Sequence, residues 1–137
     1  MPSFIGEKNY EHGSPDNTGI LLTNLGTPDE PTAKAVKTYL REFLSDPRVI
    51  EIPKFLWQII LRGVILQIRP RRSAKTYSTV WTKEGSPLLV IAKKQLDLVR
   101  KEIKVAYPNS VVELAMRYGN PSIESALQKL QQKQQLQ

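Results

Sequence analysis

Side chains able to move a proton near neutral pH are scarce in this sequence. His12, in EKNYEHGSPDN, is the only histidine, and there is no cysteine. That composition excludes a disulfide scaffold, a thiolate metal site and a cysteine nucleophile, and it leaves a Cys/His zinc site without ligands. Asp29 and Glu30 form a carboxylate pair, but they stand just ahead of a helix pattern, where the positive end of the helix dipole accounts for them. NLGTPDEP has one glycine where a dinucleotide turn needs three, and it carries acids where a pyrophosphate would sit. No P-loop lysine follows, and no serine occupies a nucleophile elbow. The remaining candidates are groups that bind: Asn24, Leu25, Thr27, Arg117, Tyr118 and Asn120.

Those residues lie on two short patterns of the same kind. Ile20, Leu21, Leu22 and Leu25 make an apolar run closed by Gly26, and VVELAMRYG repeats the pattern at Val111–Gly119. Each reads as a buried strand of the sort found in parallel sheets. Each ends in Gly-x-Pro (Gly26-Thr27-Pro28 and Gly119-Asn120-Pro121) and leads into a helix pattern. Two β-turn-α units predict parallel strands with both turns at one edge, which is where open α/β sheets hold ligands. Glycine and proline also make tight turns with no ligand, so the echo by itself is a weak signal.

The helices follow from periodicity and caps. Val36, Tyr39, Leu40, Phe43 and Leu44 form one stripe, with Thr32 as N-cap and Ser45-Asp46-Pro47 as the stop. Leu88, Leu89, Ala92, Leu96, Val99 and Ile103 form another, opened by Ser86-Pro87. The last helix carries Ile123, Ala126, Leu127 and Leu130 on one face. RVIEIP reads as a short extended piece, and SAKTYSTVWTKEGSP as a short helix and then a loop closed by Gly85. With only two strands, the sheet is marginal.

KFLWQIILRGVILQIRPRR is different in character. It leaves a thin polar stripe at Lys54, Gln58 and Arg62, and it contains five cations and no acid. It is too apolar for an ordinary surface helix and too short and charged to cross a bilayer. A helix lying on a membrane surface and a fully buried core helix both fit this composition.

The bulk figures set the frame. At 137 residues, 40% hydrophobic and 24% charged, the chain has the size and composition of one ordinary soluble domain. A net charge of +7 suits anionic partners. Nucleic acid is not among the expected ones, because there is no helix-turn-helix, no zinc finger and no aromatic-lined sheet pattern. Residues 1–18 read as a disordered lead-in without the features of a secretory signal, and a cytoplasmic location is the default.

Four segments in register resemble the N-terminal part of bacterial ferrochelatases, which insert ferrous iron into protoporphyrin IX. They are TGILLTNLGTPDEPTAKAVKTYLREFLSDPRVIEIP, LWQIILRGVIL, RPRRSAKTYSTVWTKEGSPL and MRYGNPSIESAL. The resemblance implies a Rossmann-like parallel β-α-β lobe over residues 19–137, an incomplete first lobe of a two-lobe fold with the porphyrin cleft between lobes. It further implies that Leu25 lies under the macrocycle and that Arg117 and Tyr118 stand on the same wall. Tyr77, Trp81 and Ser86 would line the pocket. The segment 53–70 would be a lip over the porphyrin, carried by Leu56, Trp57, Ile60, Val64 and Ile65. The lip is also the surface expected to touch the inner membrane peripherally. The family's catalytic His and Glu are expected beyond residue 137, and His12 is not that histidine. The chain alone is therefore expected to be inactive, with protoporphyrin IX and the C-terminal part of the enzyme as its partners. It is expected to bind no cofactor or metal of its own, Fe²⁺ being a substrate of the complete enzyme. A non-catalytic porphyrin- or membrane-binding remnant is the alternative reading.

Overall fold

The computed structural model describes Gly13 and residues 17–135, with side chains to 133. His12 and most of the lead-in lie outside the described residues. The order of elements is β1 (Gly19–Thr27), α1 (Ala33–Leu44), α2 (Lys54–Ile60), a π-helical turn (Leu61–Ile65), α3 (Leu66–Val80), α4 (Pro87–Ala106), β2 (Val111–Gly119) and α5 (Ile123–Gln135). β1 and β2 pair in parallel, Gly19 with Val111 through Thr27 with Gly119. The α/β class, the two parallel strands and the shared turn edge are all as the sequence predicts.

Two apolar clusters cover this sheet. Ala92 and Leu96 of α4 pack on Val112, Leu114 and Met116 of β2, with Ile20 and Leu22 of β1 beside them. Every residue of the predicted α4 stripe joins this cluster. The second cluster joins Val36, Tyr39, Leu40 and Leu44 of α1 to Leu61, Leu66 and Ala74 and to Tyr118 of β2. Leu61 is fully buried, a burial that stabilises by about 1.5–3 kcal/mol. Glu113 is also buried, and its charge is met by Arg100 at 3.1 Å and Lys133 at 2.5 Å. On α5, Ala126 and Leu130 are buried, whereas Leu127, predicted on the same face, is exposed.

The caps match their sequence signals. The Thr32 hydroxyl accepts from Ala35 N at 3.3 Å, and the Ser86 hydroxyl accepts from Leu89 N at 3.2 Å. Two local expectations fail. RVIEIP begins as a turn, because the Asp46 carboxylate accepts from Arg48 N at 2.9 Å while Asp46 O accepts from Val49 N. The short helix expected at Ser73 is the second half of a helix that runs on from Lys54 through Pro70. A proline ring would strike the carbonyl four residues back, here Leu66. Leu66 has ψ −6°, well off the α value, and this turns its carbonyl as the π turn ends.

Among the described residues, no helix is long and apolar enough to cross a membrane.

Candidate functional site

The expected site residues lie on two parts of the fold, the strand ends and the helix run from α2 to the start of α4. Gly26 makes the close approach at the strand edge. Its φ is +118°, and a Cβ there would fall 1.8 Å from Tyr118 O. The Tyr39 hydroxyl of α1 donates to Gly26 O at 3.3 Å, tying this turn to the helix behind it. Burial pushes the Tyr39 hydroxyl up from 10.0 to about 12, and the nearby Tyr77 and Tyr118 add to the effect.

Arg117 and Tyr118 converge on one carboxylate. Asp46, in the loop after α1, has only 8% of its side chain exposed. It accepts from the Tyr118 hydroxyl at 2.9 Å and from Arg117 Nη2 at 2.5 Å. The Arg48 backbone N–H is the main reason its carboxyl lies below its ordinary 3.8; the Tyr118 hydroxyl and Arg117 add to that, and burial opposes them. Burial, and then the Asp46 carboxylate, raise the Tyr118 hydroxyl above its ordinary value. The Tyr118 ring meets Phe43 edge-on at 5.0 Å, and the Arg117 guanidinium lies 4.9 Å from the Tyr118 ring centre. Tyr118 is thus a core residue held at its hydroxyl, and half-exposed Arg117 is the member of the pair that reaches solvent. The sequence reading missed Asp46, whose signal is an acid next to the helix-stopping Pro47.

The other expected site residues lie on β1, on the helix run from Lys54 to Val80 and at the start of α4. Leu25 lies on β1, half exposed. Tyr77 packs against the α1 cluster and meets Trp81 edge-on at 6.2 Å. Ser86 is buried, its hydroxyl occupied as the α4 cap. The lip residues divide in two. Leu56, Ile60 and Val64 are exposed, while Trp57 and Ile65 turn inward, with Trp57 Nε1 donating to Leu44 O at 2.6 Å. Phe55, Ile59 and Ile68 enlarge the exposed apolar face. The helix pair is therefore neither fully buried nor fully exposed.

A groove of about 470 Å³ runs along this helix, lined by Val64, Ile65, Ile68, Arg69, Arg72, Ser73 and Thr76. A lining that combines three aliphatic side chains with two guanidinium groups suits an apolar ligand that carries carboxylates. The sequence showed these arginines, but the separate short helix expected from Ser73 put Ser73 and Thr76 on another element. Among the described residues, no group of three or more His, Cys, Asp and Glu could hold a metal.

A model of the family described as ferrochelatase matches residues 17–137. Among curated proteins, the ferrochelatase of Thioalkalivibrio sulfidiphilus (strain HL-EbGR7) is 59% identical over 130 residues, which are 94% of this chain and 35% of that protein. The ferrochelatase of Marinobacter nauticus (strain ATCC 700491 / DSM 11845 / VT8) is 55% identical over 133 residues, 96% of this chain and 36% of its own length. That of Alcanivorax borkumensis (strain ATCC 700651 / DSM 11573 / NCIMB 13689 / SK2) is 56% identical over 127 residues, 92% of this chain and 37% of its own. The chain spans about a third of the length of these relatives, in their N-terminal part. On the match across residues 17–137 and these identities, the chain belongs to the ferrochelatase family.

Proposed function

We propose that this chain supplies one wall of the site at which Fe²⁺ enters protoporphyrin IX to form protohaem. The groove of Val64, Ile65, Ile68, Arg69 and Arg72 carries the reading. It offers apolar contact to one edge of the macrocycle and two cations to its propionates. Leu25, at the strand edge, would pack against the ring, while the Asp46–Tyr118 pair holds the Arg117 guanidinium in place. Tyr77 and Trp81 extend the aromatic surface.

Metal insertion also needs a base for two pyrrole N–H protons. Three carboxylates are described at this wall, and all are engaged: Asp46 accepts from three donors, Glu42 from Gly119 N and Asp29 from the Asn120 amide. The proton acceptors therefore belong to the rest of the enzyme, and this chain alone binds porphyrin without turning it over. The exposed face of Phe55, Leu56, Ile59, Ile60, Val64 and Ile68 lies peripherally on a lipid surface, from which an apolar substrate arrives.

Porphyrin fluorescence titration tests the reading. Protoporphyrin IX should bind the chain, and Arg69→Gln with Arg72→Gln should weaken it by roughly tenfold, as loss of charge-assisted bonds implies. The dimethyl ester should bind wild type and variant alike. Equal loss of ester and free acid in the variant would rule out propionate pairing. Iron insertion should return when the chain is combined with the remaining part of a relative, and turnover by the chain alone would overturn the division of labour.

A further inference from the structure

A second cleft, of about 370 Å³, lies where α1 passes the π turn, lined by Lys37, Arg41, Arg62, Leu66 and Gln67. Lys37 and Arg41 are one helical turn apart on α1. Like charges at that spacing repel each other. Arg62 faces them across the cleft, so three cations meet with no carboxylate in the lining. None of the three forms an ion pair with a described residue, in contrast to Arg100, Arg117 and Lys133.

The π turn is what shapes this arrangement. In an α-helix, positions i and i+5 point well apart. A turn with wider i→i+5 bonding brings them close to one side. Here Arg62 and Gln67 share the lining, and Gln67 Nε2 donates to Arg62 O at 3.2 Å. Leu66, only 3% exposed, forms an apolar base. A π turn inside a helix commonly accompanies a functional site.

We infer that Lys37, Arg41 and Arg62 form a binding site for a phosphate group. The forked guanidinium donors of two arginines match phosphate oxygens, and a lysine adds a point charge. Bound phosphate would also offset the repulsion among the three cations. Arg62 belongs to the helix run whose other side exposes Ile60 and Val64. A lipid headgroup and a free phosphate therefore both present the required chemistry. The site does not depend on porphyrin binding.

The test has two arms on the 137-residue chain. In the first, inorganic phosphate and pyrophosphate are titrated by calorimetry. In the second, the chain is sedimented with vesicles of phosphatidylcholine alone or mixed with phosphatidylglycerol. Each arm uses wild type, a triple variant (Lys37→Gln, Arg41→Gln, Arg62→Gln) and a control (Lys101→Gln, Lys104→Gln) that removes cations from a different cleft. Of the five positions, Lys37 is half-buried and the other four are exposed, and circular dichroism checks folding. The triple variant should lose binding by at least about tenfold while the control keeps it, in one arm or both. Loss in the first arm identifies free phosphate. Loss confined to phosphatidylglycerol vesicles identifies a headgroup. No binding in either arm, or equal loss in triple variant and control, overturns the proposal. Porphyrin binding should be the same in wild type and triple variant, which keeps this result separate from that of the propionate groove.

Discussion

Alanine at Gly26 should cost far more than alanine at Gly85 or Gly63. Two penalties coincide there. The first is backbone strain, since φ is +118° and a Cβ in the left-handed region costs about 1–2 kcal/mol. The second is space, because the new Cβ would lie 1.8 Å from Tyr118 O and 2.8 Å from Tyr118 C. Both atoms are backbone of the partner strand, so the strands must part, and overpacking of this kind costs about 1–3 kcal/mol more. The expected total is about 2–5 kcal/mol. Gly85 separates the two effects: its φ is +121°, but nothing lies within 4 Å of an added Cβ. Gly85→Ala should therefore cost only the strain, about 1–2 kcal/mol. Gly63 has neither penalty and lies in the helical run, so Gly63→Ala should be neutral or stabilising by up to about 1 kcal/mol. Urea unfolding followed by circular dichroism gives all three values. A Gly26→Ala variant no less stable than Gly85→Ala would show that the strands do not approach as described.

Three further outcomes follow from the core and its polar ties. Asp46 titrates below its ordinary 3.8, so its contribution to stability is present above that pH and is lost as pH falls through the lower folded value. Tyr118→Phe removes one donor and should move acid unfolding to higher pH, and superimposable acid titrations would contradict this. Tyr39 behaves oppositely. Its raised value gives stability that is complete below pH 10.0 and lost as pH climbs toward about 12, a loss that Tyr39→Phe should reduce in alkaline unfolding curves, with Tyr77 and Tyr118 supplying what remains. Trp57→Phe frees the Leu44 carbonyl at the end of α1 and should cost about 1 kcal/mol, read from the urea midpoint, with an unchanged midpoint counting against the bond.

Much of the architecture could be read because its signals are local. Thr32, Ser86 and Pro87 mark helix starts by chemistry that acts within one turn, and the stripes of α1 and α4 follow from a 3.6-residue period. The parallel pairing was legible from the repeated Gly-x-Pro ends. Other features depend on distant partners. Asp46 reads as a helix stop, and only folding brings it to Arg117 and Tyr118, some seventy residues on. The segment from Ser73 reads as a separate short helix, and only the turned Leu66 carbonyl lets the helix run through Pro70 into it. The division of the lip into exposed Leu56 and inward Trp57 depends on where α1 lies, which the composition of the segment does not specify.

The parallel pairing has a kinetic consequence. Gly19 meets Val111, so the sheet closes a loop of roughly 90 residues, at an entropy cost of about 4 kcal/mol beyond the constant term. On a ribosome, β1 is made first and has no partner while α1 to α4 are being synthesised. The α1 cluster also lacks Tyr118 until then, so neither apolar cluster is complete before β2 emerges. Folding should therefore be late and cooperative, with the exposed β1 run the segment most in need of protection during synthesis.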